Sequence, residues 1–438
     1  MRINPVTLAA QAKGSYALLK RVYSITNRYG LTPAKMDRSL RLFVQTLSQF
    51  GCGASLALTA VVLKRNPVTI VEYLGKDVEF AVHGYTHVDY ARLSLAEQLD
   101  HLRRARELFA AAGVKTLGFR SPYLRRDAQL YTAIEEAGFS YVSNQPIMWD
   151  VLDFGAFAPS AHAAYERAVS FYAPWLANER PSLPRFDGRL VEIPVSLPDD
   201  EMLVDRLGSR TGGAINEVIE SAWCSILSET YRRGELFTVQ LHPERIAWGA
   251  DGLSAVLSRA RALRPPVWVA RLSEIAAWWR ARAAATVNVQ EKDGDAWHIS
   301  VTGPPGTVIL ARQVKVLEST RPWADGYRRV EGTSCTVRAE RRPFVGASPT
   351  CPPALLDFVR RQGYIVQVGG DRRRYSIYLD QPQFSPQDEL PLLAQIEDGD
   401  GALVRLGRWP DGARSALSIT GDIDALTIGD YGLRLFGK

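Results

Sequence analysis

Apolar and polar positions follow two alternating periods along the first two thirds of the chain. Short apolar runs such as "ASLAL", "VEFAV" and "FTVQL" have the length of buried strands, and segments with apolar residues at helical spacing separate them. The segment 94–113 opens with Ser94 and Glu97 in a capping-box arrangement and closes on Gly113, which predicts a helix. Regular alternation of this kind predicts an α/β fold in which parallel strands and crossover helices form a closed or nearly closed (β/α) barrel.

The pattern changes near residue 284. From "TVNVQEKDGDAWHISV" onward, apolar and polar residues alternate around Gly and Pro turns, which is typical of antiparallel strands. One helix is predicted near "PALLDFVRRQG". We therefore divide the chain into a barrel at 1–283, a β-rich accessory module at 284–408 and a C-terminal strand and helix at 409–438.

The C-terminal segment carries an unusual pair of acids. In "SITGDIDALTIGDY", a strand predicted at Ala416–Thr420 runs into Asp422 and Asp424. Carboxylates at strand ends are frequent metal ligands and catalytic groups in α/β proteins. Near the other end of the chain, "SITNRYGLT" repeats the beginning of this segment after a strand predicted at 22–26, but it has no carboxylate.

Composition and charge restrict the partners and the compartment of the protein, but they do not indicate its reaction. The 438 residues are 46% hydrophobic and 23% charged, with a net charge of +6 that is scattered along the chain, so nucleic acid is not an expected partner. The four cysteines lack metal-type spacing and indicate a reducing compartment. The first residues contain no apolar stretch long enough for a signal peptide or a transmembrane helix. We predict a cytoplasmic protein, with peripheral contact to the inner membrane face left open.

Three predicted strand ends carry side chains suited to catalysis. His83 and His87 follow the strand "VEFAV" at a spacing that lets both imidazoles reach one metal ion. Arg120 ends the strand in "TLGFR", where a guanidinium can hold a carboxylate in place. His242 ends the strand in "FTVQLH" and has the intrinsic pKa of a general acid.

In this order and at these distances, "HGYTH", "RSPY" and "QLH" resemble motifs of the NodB-type polysaccharide deacetylases, family 4 of the carbohydrate esterases. The resemblance covers about residues 20–283. It implies a distorted (β/α)7 barrel with one divalent metal, usually Zn²⁺, on an Asp-His-His triad. In the family, a metal-bound water attacks the N-acetyl carbonyl of an amino sugar, an aspartate is the base and a histidine is the acid. By position, His83 and His87 would bind the metal, Arg120 would orient the base and His242 would be the acid.

The resemblance fails at the first motif of the family, a strand that ends in two acids. Thr26, Asn27 and Arg28 stand at that place, and two histidines without a carboxylate make a weak zinc site. The C-terminal "ALSITGDID" resembles the missing motif, so Asp422 would be the base and Asp424 the third metal ligand. We expect its strand to pair at the open edge of the barrel. A remnant of a second domain, completion of a neighbouring subunit and a calcium-binding turn are the alternatives.

The fourth motif is also unclear, because either Trp149 with Asp150 or Asp199 with Asp200 could line the pocket. Taken together, the sequence predicts a metal-dependent hydrolase that removes an N-acetyl or N-formyl group from an amino sugar. The substrate would be a glycan or a lipid- or nucleotide-linked glycan precursor. The alternative is an inactive deacetylase-like protein that binds glycan or assists polysaccharide assembly. The sequence does not identify the sugar, the metal or the oligomeric state.

Overall fold

The computed structural model describes residues 25–26, 28–207, 215–292, 294–399, 401–434 and 436–437. Up to residue 283, strands and helices alternate as predicted. The strands are β1 Ala54–Leu58, β2 Val78–Val82, β3 Gly118–Phe119, β4 Tyr141–Val142, β5 Pro146–Met148, β6 Trp175–Leu176, β7 Arg185–Asp187, β8 Leu190–Glu192, β9 Val195–Leu197, β10 Leu236–Gln240 and β11 Val267–Val269. The helices are α1 Ala34–Ser48, α2 Ala60–Arg65, α3 Pro67–Val71, α4 Leu95–Ala111, α5 Ala128–Glu136, α6 Pro159–Tyr172, α7 Ile215–Arg233, α8 Ile246–Ala262 and α9 Leu272–Ala283.

The β-rich region and the C-terminal segment follow. Their strands are β12 Thr286–Glu291, β13 Ala296–Thr302, β14 Ile309–Arg312, β15 Lys315–Val316, β16 Thr320–Pro322, β17 Arg328–Val330, β18 Ser334–Arg338, β19 Arg342–Ala347, β20 Val366–Val368, β21 Tyr375–Leu379, β22 Leu403–Leu406 and β23 Ser415–Ile423. The helices are α10 Pro353–Arg361, α11 Glu389–Glu397 and α12 Ile428–Arg434. No helix in the described ranges is long and apolar enough to cross a membrane.

The first sheet has the topology of a distorted (β/α) barrel, as predicted. Its strand order is β10-β23-β1-β2-β3-β4-β8-β7, and β11 also pairs with β23. All its pairings are parallel except the β7–β8 hairpin. A smaller parallel sheet, β6-β5-β9, continues the wall, and the Thr238 amide of β10 donates a hydrogen bond to Ser196 Oγ of β9. Parallel strands covered by helices are buried on both faces, which explains the continuous apolar runs in the sequence.

β23 lies in the middle of this sheet. One edge pairs with β10 over residues 416–420, and the other edge pairs with β11 over 415–417 and with β1 over 420–423. All nine residues of β23 are buried. The C-terminal strand is therefore an interior strand of its own barrel.

Of the strand predicted at 22–26, only the last two residues lie in the described part of the chain, and they do not form a strand. Residues 22–24 lie outside the described part of the chain, and Ile25 and Thr26 are helical. The position beside β1 is occupied by β23 instead. The chain around Gly30 runs along the C-terminal segment, where Gly30 forms a parallel bridge with Thr427. The echo of the C-terminal motif near the start of the chain thus does not indicate a second copy of the strand.

The region between α9 and β23 is built mostly of β-structure. Two four-stranded sheets, β12-β13-β18-β15 and β16-β17-β14-β22, have antiparallel pairings, as the alternating pattern predicted. A third sheet, β20-β19-β21, is parallel. Helices α10 and α11 share an apolar core with strands of this region. The region is therefore an α+β structure, with two helices and a parallel sheet in addition to the predicted antiparallel strands.

Candidate active site

The side chains that the motifs singled out lie at one end of the barrel sheet. Parallel strands present their carboxyl ends at the same edge, and the residues follow directly on those ends. They come from the ends of β2, β3, β10 and β23 and comprise His83, His87, Arg120, His242, Asp422 and Asp424. The contacts described below link them into two groups, a possible metal cluster with its base and a separate histidine–aspartate pair.

A glycine turn after β2 brings the two histidines together. Gly84 has a φ of +84°, and a Cβ at this position would lie 2.8 Å from the ring of Tyr90. The chain therefore turns sharply after His83, and the Tyr85 amide donates a hydrogen bond to the Tyr90 hydroxyl. The rings of His83 and His87 meet edge to face with centroids 5.1 Å apart. The glycine of "HGYTH" thus allows both imidazoles to face one point.

Asp424 completes a possible metal-binding triad with these histidines. Its Oδ1 lies 3.3 Å from Nε2 of His83 and 3.3 Å from Nε2 of His87. One ligand atom from each of the three residues lies within 4.8 Å of the other two. Two imidazole nitrogens and one carboxylate oxygen form a donor set that zinc and other divalent transition metals accept.

The surroundings of the histidines favour metal binding. Nδ1 of His83 lies 2.9 Å from the Arg120 carbonyl oxygen, and because that oxygen can only accept, Nδ1 donates this hydrogen bond and leaves Nε2 as the ring nitrogen that faces Asp424. Burial, followed by the positive charge of Arg434, lowers the pKa of His87 to about 4, so this imidazole is neutral at neutral pH. His87 therefore presents a ligand that need not lose a proton to bind a cation.

Asp424 is held in its charged form by a residue from the last helix. Arg434 of α12 donates from Nη1 to Asp424 Oδ2. Burial alone would raise the pKa of Asp424, but Arg434 and His87 outweigh burial and hold that pKa well below its ordinary value. The other oxygen, Oδ1, is buried and has no hydrogen-bond partner among the described residues. A buried carboxylate oxygen without a donor, facing two imidazoles, is suited to a metal ion.

Asp422 lies next to the triad and is fixed by two donors. Arg120 donates from Nη1 to Oδ1 over 3.1 Å, and Gln240 donates from Nε2 to Oδ2 over 3.0 Å. His83 Nε2 lies 3.9 Å from the same Oδ2. The guanidinium of Arg120 is 1% exposed and also donates to the Thr420 hydroxyl and to the carbonyl and hydroxyl of Ser143. This network leaves the carboxylate of Asp422 little freedom to turn.

Gly421 explains how β23 enters the site. A Cβ on this residue would lie 2.1 Å from the carbonyl oxygen of Leu241, the residue before His242. The Leu241 amide donates over 2.8 Å to the Thr420 carbonyl. Since β23 and the end of β10 approach this closely, only glycine fits between Thr420 and Asp422.

His242 is paired with Asp200, an acid that the sequence analysis noted without assigning a role. His242 Nδ1 lies 2.8 Å from Asp200 Oδ1, and the backbone amide of His242 donates over 3.2 Å to Oδ2. Burial would lower the pKa of His242, but the charge and hydrogen bond of Asp200 raise it to about 10. The imidazole is therefore protonated at neutral pH.

The remaining pocket candidates occupy different surroundings. Asp150 is exposed, and Trp149 is buried with the guanidinium of Arg233 over its ring. Within the described part of the chain, neither forms a hydrogen bond or an ion pair with the triad. Tyr123 of "RSPY" was not proposed as a site residue, yet its ring lies edge to face with His87 at a centroid distance of 4.6 Å. Its φ of 61° is unusual for a residue other than glycine and is typical of a functionally constrained position.

Comparison with known proteins supports the motif assignment. Residues 34–142 match the family model described as polysaccharide deacetylase. A search of curated proteins returned no significant match. This matched part of the chain contains β1 to β4, the two histidines and Arg120.

Solved structures with similarity to this chain include enzymes and inactive relatives. A protein from Mycobacterium smegmatis assigned as a polysaccharide deacetylase is 21% identical, with a TM-score of 0.45 over 66% of this chain and 92% of that one. One from Pseudomonas aeruginosa, with the same assignment, is 21% identical, with a TM-score of 0.41 over 60% and 76%. A family 4 carbohydrate esterase pseudoenzyme from Bacillus anthracis is 18% identical, with a TM-score of 0.24 over 36% and 50%.

Proposed function

We propose that this protein is a metal-dependent deacetylase of an N-acylated amino sugar. The observation that carries the proposal is the convergence of His83, His87 and Asp424, whose ligand atoms lie within 4.8 Å of one another. The match of residues 34–142 to the polysaccharide deacetylase model supports the hydrolysis of an amide bond in a glycan, and the triad supplies the donors that such a reaction needs.

The triad would hold one divalent ion, and Zn²⁺ fits its nitrogen and oxygen donors best. Such an ion supplies Lewis acidity, because it polarises the amide carbonyl and lowers the pKa of a water. The chain itself contributes three prepared ligands. His83 is fixed through its Nδ1 hydrogen bond, His87 is neutral, and Asp424 is kept ionised by Arg434.

Proton transfer would be divided between Asp422 and His242. Asp422 lies beside the triad with both oxygens oriented by Arg120 and Gln240, so it is placed to accept a proton from the attacking water. His242 holds a proton on the Nδ1 that faces Asp200, and its raised pKa keeps Nε2 protonated as well. That second proton is available for the leaving amine, which must be protonated to depart.

Aromatic side chains near the triad suit a sugar ring. Tyr123 contacts His87, and its ring meets Phe171 of α6 edge to face at 6.1 Å. Helix α6 belongs to the segment 151–189, which is rich in aromatic residues, and through Phe171 it comes close to the metal cluster. Sugars stack on aromatic faces, so these side chains favour a glycan or a glycan precursor as substrate. Both acetyl and formyl groups remain candidates for the acyl group, and lipid- or nucleotide-linked precursors remain candidates for the sugar.

The test is acetate and formate release by the zinc-loaded protein from N-acetylated chitin oligosaccharides, a nucleotide-linked N-acetyl sugar and an N-formyl amino sugar. We expect release from at least one substrate by the wild type and none by Asp422→Asn. A protein that binds these glycans with its zinc site loaded but releases no acid would instead be an inactive glycan-binding relative.

A further inference from the structure

A cavity lies far from the metal cluster, between the barrel and the β-rich region. It has a volume of about 580 Å³, which is within the range of small-molecule sites. Gly234 and Glu235 line it just before β10, and Arg414 lines it just before β23. The metal cluster lies at the opposite ends of these two strands, about 25 Å away at the usual rise per strand residue. The cavity is therefore separate from the candidate active site.

The walls of this cavity are rich in guanidinium groups. Six arginines line it: Arg232, Arg233, Arg312, Arg405, Arg408 and Arg414. Three of them, Arg312, Arg405 and Arg408, are only 6%, 8% and 9% exposed. Arginine is rarely buried to this extent unless carboxylates or bound anions balance its charge.

Carboxylates do not balance the buried arginines. Glu397 is the principal acid facing them, and its oxygens already accept from Tyr327, Tyr364 and Arg312 and form an ion pair with Arg405. Glu235 is buried on the opposite wall, and burial raises its pKa to about 7, so it is only partly ionised at neutral pH. Asp325 and Asp398 also line the cavity but are exposed, and Asp325 pairs with Arg414.

Arg408 has donor capacity that the protein leaves unused. Its Nη1 donates to the carbonyl oxygens of Arg233 and Gly234, which end α7. Its Nε is buried without a hydrogen-bond partner among the described residues, as is the Nε of Arg312. Burial and the nearby charge of Arg405 lower the pKa of Arg408, and burial with Arg408 and Arg405 lowers the pKa of Arg282 behind it to about 9. These arginines repel one another.

We propose that this cavity is a binding site for a phosphate or diphosphate group. A phosphate carries up to two negative charges and several acceptor oxygens, so it can satisfy more than one guanidinium at once, whereas a single carboxylate would leave positive charge uncompensated. The group could belong to free inorganic phosphate or to a nucleoside diphosphate. The site does not depend on the proposed deacetylase activity, because none of its arginines contacts the metal cluster.

The test is isothermal titration calorimetry of the full-length protein with pyrophosphate at constant ionic strength. We expect saturable binding to one site and a loss in affinity of roughly tenfold or more in Arg408→Met, because a charge-assisted hydrogen bond is removed. Arg338→Met is the matched control, since Arg338 is an exposed arginine of β18 outside the cavity, and its affinity should equal that of the wild type.

The guanidinium of Arg408 also caps the end of α7, so a second variant is needed to separate loss of binding from loss of folding. Glu235→Gln removes a negative charge from the cavity wall and should tighten pyrophosphate binding, most clearly above pH 7, which a destabilised protein would not do. Inorganic phosphate and uridine diphosphate serve as parallel ligands. Equal affinity for uridine diphosphate and pyrophosphate assigns recognition to the phosphates alone, and tighter uridine diphosphate binding assigns a nucleoside diphosphate. Absence of saturable binding, insensitivity to both variants, or loss of binding in Asp424→Asn would overturn the proposal.

Discussion

Oδ1 of Asp424 lies 3.3 Å from Nε2 of His83, although the two residues come from opposite ends of the chain. The contact exists because β23 pairs directly with β1, and β1 pairs with β2, whose end carries His83. A metal site assembled in this way depends on the last strand and on the helix that follows it. The consequences can be tested at several residues.

The first prediction concerns Arg434, which donates to Oδ2 of Asp424, the carboxylate oxygen that does not face the two histidines. Arg434→Met should lower the affinity for Zn²⁺ about tenfold, since residues that orient a ligand typically contribute a factor of ten or more. Competition with a chromophoric chelator measures this affinity without reference to activity. Arg434→Lys should recover part of the loss, and Arg372→Met, an exposed arginine far from the triad, should bind zinc like the wild type. Unchanged affinity in Arg434→Met would show that the ion pair has no role in metal binding.

A second prediction follows from the network of Arg120. Arg120→Lys keeps the charge but cannot hold Asp422, Thr420 and Ser143 at the same time, so kcat should fall by a factor of about one hundred. KM should change little, because Arg120 is buried beneath the base. Arg104→Lys, at an exposed helical position, is the control. A fall in the temperature of unfolding with no change in kcat would assign Arg120 a purely structural role.

A third prediction uses the pair His242 and Asp200. The raised pKa means that His242 keeps its proton up to about pH 10, so the alkaline limb of the rate profile should not come from His242 below that value. In Asp200→Asn, no carboxylate opposes the effect of burial, which lowers the pKa of His242. The alkaline limb of the rate profile should therefore move to about pH 6.5 or lower. The stabilisation from the charged pair is complete below the unfolded pKa of histidine and is lost as the pH rises through about 10. A variant whose alkaline limb equals that of the wild type contradicts the role of Asp200.

The interior position of β23 gives a fourth prediction. Deleting residues 409–438 removes all nine buried residues of β23 and with them the backbone partners of β1, β10 and β11. The truncated protein should lose cooperative thermal unfolding, because the exposed strand edges and apolar surface cannot be satisfied. Near-ultraviolet circular dichroism and calorimetry would detect this. A deletion that removes only residues 436–438, beyond α12, should unfold like the full chain. A truncated barrel with native stability would mean that β23 is an accessory strand.

The barrel and most of the metal cluster could be predicted from sequence for a physical reason. His83 and His242 directly follow apolar strands, so their location at one edge of a parallel sheet follows from the strand pattern alone. The prediction of a strand at 22–26 was wrong at Ile25 and Thr26, which are helical, because "YSIT" and "LSIT" share the strand-compatible residues Ser, Ile and Thr. Only tertiary pairing decides which of them fills the position beside β1.

The contacts of Arg434 and Asp200 could not be predicted in the same way. Arg434 reaches Asp424 from helix α12, which follows β23, and Asp200 reaches His242 from the chain beyond β9. Both contacts depend on how a loop or helix returns to the sheet, and neither residue stands at a spacing that marks it. The local pattern of "LPDD" is equally compatible with a solvated acidic turn.

The most direct test of the split metal site is anomalous X-ray diffraction at the zinc absorption edge from crystals of the zinc-loaded full-length protein. We predict one anomalous peak about 2 Å from Nε2 of His83, Nε2 of His87 and a carboxylate oxygen of Asp424. The peak should be absent from crystals of Asp424→Ala and His87→Ala and present in Asp357→Ala, an exposed aspartate of α10 in the β-rich region. A peak elsewhere, or a peak that survives the loss of Asp424, would contradict a metal site completed by the C-terminal strand.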